Sequence, residues 1–294
     1  MSIAIVIPAH HRAEPLRRLL AFLVKEGAGE QTCVVIDGAD RTVEKIARYF
    51  RVATFCLETA RGAAYARNVG TTLRDADWYV FLDDDVVPAR GWWKRVQEVI
   101  RRSRADLISG AVVYEGRRVY PERVVENPTA HFPLGAHLFV RRTVFCALGG
   151  FDVSASALHN EDIEFALRLE TEGFRCEKRP DLIVYHRAAW WGHPRDVYRA
   201  SNRISEIPRY YSLYPAAARR LFTDRLGPLL FPREVLVLVF FPLLVVPLFL
   251  RFCYRNRHNL HAALPYFLAK WPASLLLRRL ALWKSALKHR VFLV

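Results

Sequence analysis

The chain is poor in several residue types, and each shortage narrows what it can be. It has one methionine, two glutamines and seven lysines against 37 arginines in 294 residues. Few thermolabile residues suit a thermophile, and a GC-rich genome favours arginine equally well. The five cysteines, Cys33, Cys56, Cys146, Cys176 and Cys253, include no CxxC pair. Four sit in apolar surroundings, so buried inert thiols are expected, with a Cys33–Cys56 bridge between neighbouring strands left open. No cleavable leader precedes the apolar stretch at Ile3, so a cytoplasmic main domain is expected. Acids are scarce at the other end: from Ala216 to Val294, 13 Lys and Arg face two acids, Asp224 and Glu234, a balance of +11 within a total of +15. The longest apolar runs lie in the same quarter. Basic and apolar segments together suggest an anionic membrane surface as partner, not nucleic acid, for which no usual binding motif is present.

What is present centres on Trp78-Tyr-Val-Phe-Leu-Asp-Asp-Asp85. Five apolar residues read as a strand buried on both faces, and it runs into three consecutive carboxylates. Ligands of open α/β sheets collect outside the carboxyl ends of strands. Unpaired carboxylates crowded there would repel, and a hard divalent cation such as Mg²⁺ with a diphosphate relieves that repulsion; an acidic turn after a strand is the other reading.

Around this strand the pattern alternates. Ile3–Ile7, Thr32–Ile36, Val52–Leu57 and Leu107–Tyr114 read as strands, and so do His131–Val140 and Leu182–Tyr185. Helices are expected with Leu16, Leu19, Leu20 and Leu23 on one face, over 41–49, around 91–101, and from His159 to a stop at Gly173. The alternation implies right-handed crossovers and a mostly parallel sheet flanked by helices. In Arg61-Gly-Ala-Ala-Tyr-Ala-Arg67, small residues open a helix whose free N–H groups favour anions, and Arg67 adds a fork for phosphate or carboxylate. Glu161 and Asp162 fall in the first turn of a later helix, where acids suit the helix dipole and one could serve as a general base. Trp190 and Trp191 offer flat faces for a sugar or a lipid interface.

The order IVIPAHHR, VVIDGADRT, RGAAYARNVG, FLDDDV, GGFD, NEDIEFALRL and VYH, spread over about residues 2–186, resembles glycosyltransferase family 2. These are inverting, nucleotide-sugar-dependent enzymes with a Rossmann-like GT-A fold. The resemblance implies that Pro8, Ala9 and Asp37 hold base and ribose. His10, Arg12, Asp83, Asp84 and Arg203 are assigned with them to the donor, and Arg67 lies near its diphosphate. Asp83 and Asp85 match the family's DxD pair, His186 a position that helps bind Mg²⁺ or Mn²⁺, and Asp162 the catalytic base. Glu161, Trp190 and Trp191 are assigned to the acceptor. Arg203 alone matches the QxxRW element of processive members, and Ile36, Ala39 and His10-His11 depart from the family around the base pocket. The expected reaction moves a hexosyl group, mannose or glucose type, from GDP-mannose or a UDP-hexose to a membrane lipid-linked glycan acceptor. A nucleotidyltransferase, or a non-catalytic protein that binds sugar nucleotide, is the alternative.

Three regions are expected: a catalytic domain over 1–190, amphipathic interfacial helices over 191–228, and a membrane hairpin with a basic tail over 229–294. Val235–Leu250 is sixteen unbroken apolar residues, kinked by Pro242 and Pro247, and Ala262–Leu277 is apolar except for Lys270. Basic residues flank the first run on both sides, at Arg219–Arg233 and Arg251–Arg257, so a full crossing conflicts with the positive-inside rule. Either the hairpin crosses with a basic outer loop, or the segments are re-entrant or interfacial, or they form a buried core helix hairpin. A membrane location with the catalytic domain in the cytoplasm is expected.

Overall fold

The computed structural model describes residues 1–115, 122–123, 126–154, 160–186, 189–190, 198, 201–258, 260–265, 267–268 and 271–293. The chain divides into two compact units, residues 1–115 with 125–187, and residues 116–124 with 188–294.

In chain order the first unit runs β1 (Ile3–Ala9), α1 (Ala13–Lys25), β2 (Thr32–Ile36), α2 (Arg41–Tyr49), β3 (Ala53–Cys56), α3 (Ala63–Thr72), β4 (Trp78–Leu82), β5 (Val86–Pro88), α4 (Trp92–Arg102) and β6 (Leu107–Tyr114). The two-residue β7 (Glu122–Arg123) belongs to the second unit. The first unit resumes with β8 (His137–Arg141), α5 (Arg142–Ala147), α6 (Glu161–Thr171) and β9 (Cys176–His186). Its eight strands form one sheet in the order β3-β2-β1-β4-β8-β6-β9-β5. Strands β3, β2, β1 and β4 are mutually parallel, as are β6 and β9. β8 runs antiparallel to β4 and β6, and β5 antiparallel to β9. Six of the eight strands therefore run the same way, with β8 and β5 reversed, so the sheet is mixed and mostly parallel, as expected.

The strand periodicity explains its burial. Trp78, Val80 and Leu82 of β4 join Ile5 and Ile7 in an apolar layer under α1, α2 and α4. Tyr79 and Phe81 point the other way with Ala4 and Val6, into a layer with Phe145, Phe151 and Phe165. Side chains alternate between faces, so a strand apolar at every position needs cover on both. The α3 helix comes so close to β1 that a Cβ at Gly70 would overlap Val6. Strand β8 starts at His137, later than the expected His131, because Leu134–His137 form a turn, the His137 N–H donating to the Leu134 carbonyl at 2.9 Å, and Pro133 before it has no N–H to give a ladder. Of the cysteines only Cys33 is buried, its thiol pushed up to about 12 by burial; Cys56, Cys146 and Cys176 are exposed. All five are free, so no Cys33–Cys56 bridge forms. The exposed three correct the expectation of buried thiols: strand ends and helix outer faces turn half their apolar-looking neighbours outward.

The second unit pairs β7 with β10 (Ala189–Trp190). A 3-10 turn at Arg203–Ser205, α7 (Glu206–Leu213) and α8 (Pro215–Leu221) follow, then β11 (Arg225–Leu226) paired with β12 (Leu229–Leu230). Helices α9 (Pro232–Val239), α10 (Phe241–Arg255), α11 (Leu260–Pro265) and α12 (Trp271–Lys288) complete it. Among the described residues no single helix is long and apolar enough to cross a membrane. The expected span over 235–250 is a pair of helices bent by 113°. The break falls at Pro242, in the first turn of α10, where a missing N–H is tolerated at a helix start and forbids continuation from before.

Candidate active site

The parallel register of β1 and β4, with Ile3 beside Trp78 and Val6 beside Phe81, brings both strands out at one edge. There the backbone N–H of His10 donates to Asp84 at 3.1 Å, and Arg12 reaches Asp84 at 3.2 Å and also pairs with Asp85. After Asp85 the chain crosses to β5, whose Val86 lies opposite His186 of β9. That antiparallel register delivers the imidazole: His186 Nε2 is 3.3 Å from Asp85 Oδ1. Burial alone would push Asp85 up, but His186 and Arg12 beside it hold it below the usual carboxylate range. For His186 burial pushes down and Asp85 reverses it, leaving the ring above its ordinary value. Asp84 is pushed up to about 7 by burial, with Asp85 and Asp83 adding to the effect against Arg12 and the His10 amide.

Asp83, Asp85 and His186 offer ligand atoms that all lie within 4.8 Å of one another. Asp85 Oδ1 is buried and, beyond its 3.3 Å approach to His186 Nε2, has no hydrogen-bond partner. A buried carboxylate oxygen with that spare capacity, beside a second carboxylate and an imidazole, is a donor set that fits a divalent cation.

Arg67 projects from α3 and is 3% exposed. Its Nη2 donates to Asp83 at 2.6 Å and its Nη1 to Glu161 at 2.7 Å. Burial, the largest influence, would lower its pKa; Asp83, Glu161 and Asp162 more than reverse this, so the guanidinium stays charged. Removing one partner of such a buried pair typically costs about 3–5 kcal/mol. The resemblance placed this fork by a diphosphate; the structure has it tying the acidic rim to the first turn of α6. Glu161, assigned to the acceptor, is buried on that same guanidinium. Gly135 makes room, since a Cβ there would lie 2.6 Å from Arg67 Nη2. The Gly135 N–H donates to Asp162 Oδ2 at 2.9 Å, and Ile163 N–H to Oδ1 at 2.8 Å. Asp162 is nonetheless pushed up to about 6, by burial first and by neighbouring Glu161 second. A carboxylate at about 6 is ionised near neutrality yet more basic than an ordinary one, which suits a general base.

Asp37, at the end of β2, accepts from the N–H groups of Arg61 at 2.6 Å and Gly62 at 2.9 Å. Two of the amides entering α3, read from sequence as free for an anion, are thus occupied by this carboxylate. Pro8 and Ala9 close β1 beside it, Ala9 accepting from the Asp37 N–H at 2.8 Å, and His10 Nδ1 lies 2.6 Å from the Asp37 carbonyl. Arg203 sits in the 3-10 turn of the second unit, where Trp190 ends β10. Trp191 lies outside the described residues.

Sequence reasoning passed over His137. It is fully buried, accepts from Trp92 Nε1 at 2.9 Å through Nε2, and donates from Nδ1 to the Ala111 carbonyl at 3.1 Å. Gly110 opposite was the available signal: a glycine inside a strand marks a close approach, and a Cβ there would overlap the imidazole. Asn68 was also missed; its amide bonds the Phe151 N–H and carbonyl, both at 2.9 Å, fixing the GGFD turn on α3.

A family model described as Glycosyl transferase family 2 matches residues 4–163. The chain belongs to that family. Its sheet with flanking helices is that of the GT-A fold. It is 28% identical over 208 residues to the pre-mycofactocin glycosyltransferase of Mycobacterium tuberculosis, a match covering 63% of this chain and 42% of that protein. It is 24% identical over 188 residues to an uncharacterized glycosyltransferase of Haemophilus influenzae, covering 58% and 62%. The matches thus span less than two thirds of either relative. In fold it is similar to the mannosyltransferase PcManGT from Pyrobaculum calidifontis in complex with GDP-Man and Mn²⁺, at TM-score 0.60 and 14% identity over 96% of this chain and 87% of that one. It also resembles GalNAc-T7 with UDP, GalNAc and Mn²⁺, at TM-score 0.54 and 16% identity over 74% and 51%.

Proposed function

We propose that this glycosyltransferase moves a hexosyl group, with inversion, from GDP-mannose or a UDP-hexose to a lipid-linked glycan acceptor at a membrane. The observation that carries the reading is the pairing of one carboxylate cluster, Asp83 and Asp85 with His186, and one separate carboxylate of raised basicity, Asp162. A bound Mn²⁺ or Mg²⁺ would offset charge on the departing nucleoside diphosphate, with Asp83, Asp85 and His186 holding it; the imidazole leans the set toward Mn²⁺. The fold neighbours that hold Mn²⁺ with GDP-Man or UDP support this choice of donor and ion. Asp162 takes the proton of the acceptor hydroxyl as its oxygen attacks the anomeric carbon from the face opposite the nucleotide. Arg67 stays on Glu161 and keeps α6, and with it Asp162, in register. Asp37 shapes the loop at Arg61–Gly62 that borders the donor. The lipid acceptor and a membrane location, catalytic unit facing the cytoplasm, are supported by the basic, apolar last quarter of the same chain.

The test is product analysis on the full chain in detergent with GDP-, UDP- and dTDP-sugars. Free nucleoside diphosphate is expected, whereas pyrophosphate would mean nucleotidyl transfer. Asp162→Asn should abolish transfer while the protein still melts cooperatively. In the wild type kcat should fall about tenfold per pH unit below about 6, as Asp162 protonates. Wild-type-like turnover by Asp162→Asn would overturn the assignment.

A further inference from the structure

Among the described residues, 16 of the 22 large apolar side chains that stand exposed lie between Tyr198 and Phe292, within the second unit. They are ordered. Leu236, Val239, Phe240, Leu243, Val246, Leu250 and Tyr254 recur every three or four residues through α9 and α10, on both sides of the 113° break. The opposite side of α10 is covered from within, with Phe249 and Phe252 against Phe267 at 5.5 and 4.8 Å, and Phe267 stacked on Trp271. On α12 the exposed stripe is Leu276, Leu280, Trp283 and Leu287, flanked by exposed Lys284 and Lys288. Its other face is buried at Leu275, Arg279, Leu282 and Ala286.

Charge and length say what covers this surface. Arg233 is exposed at the start of α9, and Arg251, Arg255 and Arg257 are exposed at and just beyond the end of α10. The acid near the first end, Glu234, is neutralised by Arg278 at 2.9 Å. A crossing segment would put one basic cluster on each side of a bilayer, against the usual asymmetry. With 8 and 15 residues, α9 and α10 measure about 12 and 22 Å, each short of a hydrocarbon core of ~30 Å. A bent pair with basic ends and an apolar elbow satisfies both constraints if the two ends share one side.

We infer that the second unit is re-entrant: the α9–α10 elbow, around Phe240 and Leu243, dips into one leaflet of an anionic bilayer and returns, while α12 lies in the headgroup plane with Lys284 and Lys288 toward the lipid phosphates. This rests on the membrane reading proposed above and makes it specific. The membrane is entered from one side and never crossed.

The full chain carrying Pro228→Cys, Phe240→Cys or His258→Cys, one at a time, is expressed in a bacterial host and treated with a membrane-impermeant maleimide before and after permeabilisation. Modification is read site by site by mass spectrometry. Both flanking cysteines should be modified only after permeabilisation, and the cysteine at 240 in neither condition. Modification of either flank in intact cells would mean a crossing; fast modification at 240 after permeabilisation would mean an elbow in water. Either result overturns the inference. In vesicle flotation, the triple variant Arg251→Glu, Arg255→Glu, Arg257→Glu should bind phosphatidylglycerol-containing vesicles on the order of a hundredfold more weakly than wild type. Unchanged flotation, or an apolar face covered by a stable dimer in its place, would also overturn it. Neither readout needs sugar transfer, so failure of the donor assignment leaves this result interpretable.

Discussion

His137 carries the largest single consequence of burial outside the acidic rim. Its ring is enclosed between Trp92, Phe139 and the Cα of Gly110, with both nitrogens bonded in the neutral form. Burial pushes its pKa down to about 3. The unfolded chain, with an ordinary histidine near ~6.5, therefore binds a proton first as pH falls. The stability due to the neutral ring is complete above that value and drains away as pH drops toward about 3, at about 1.4 kcal/mol per unit. Urea unfolding of the wild type should lose about 2 kcal/mol from this group between pH 6.5 and 5. The His137→Gln variant, which keeps a donor and an acceptor, should show a correspondingly shallower slope; equal slopes would contradict the reading. At this scale residue type pointed to the groups that the fold brings together, Asp83, Asp85 and His186, and to Asp162 in the first turn of α6. It was silent where a role depends on a distant partner. Nothing in Arg67 itself tells that Glu161, 94 residues away, occupies half its guanidinium.

Elements were read well where local periodicity sets them and poorly where pairing does. The apolar runs of β1 and β4, that of β2 after Thr32, and the leucine stripe of α1 declare themselves through burial on two faces or one. Strand β5 does not: Val86–Pro88 reads as the tail of the Asp-rich strand, yet it pairs with β9 at the far edge of the sheet. Three residues carry no period, and only the long-range register defines them. The α3–β1 contact is similar, since Gly70 looks like a flaw in a helix until Val6 is seen against it. Two effects compete in Gly70→Ala. Alanine gains about 1 kcal/mol of helix propensity, while forcing a methyl into a packed interface costs typically 1–3 kcal/mol. The overlap with Val6 leaves the second effect larger, so the variant should be less stable by about 1–2 kcal/mol in chemical unfolding. A gain in stability would mean that α3 stands farther from the sheet.

At the scale of the whole molecule the chain joins two surfaces of opposite character. The first unit gathers acids at the carboxyl edge of its sheet; the second spreads arginine, lysine and exposed apolar side chains over helices none of which, among the described residues, is long and apolar enough to span a bilayer. Composition alone pointed to both, because charge segregation along the chain is visible without a fold. The bend between α9 and α10 was foreshadowed by Pro242, but its 113° could not be read from an apolar run whose hydropathy is continuous. The account depends most on the acidic edge being a cation site, although Arg12 and Arg67 also reach its carboxylates. The most direct measurement is calorimetric titration of Mn²⁺ into the full chain, with and without GDP or UDP, for wild type and Asp85→Ala. One ion per chain is expected, bound more tightly when the nucleoside diphosphate is present, with both effects lost in Asp85→Ala. Equal binding by the variant, or no binding by the wild type with either nucleotide, would contradict the account.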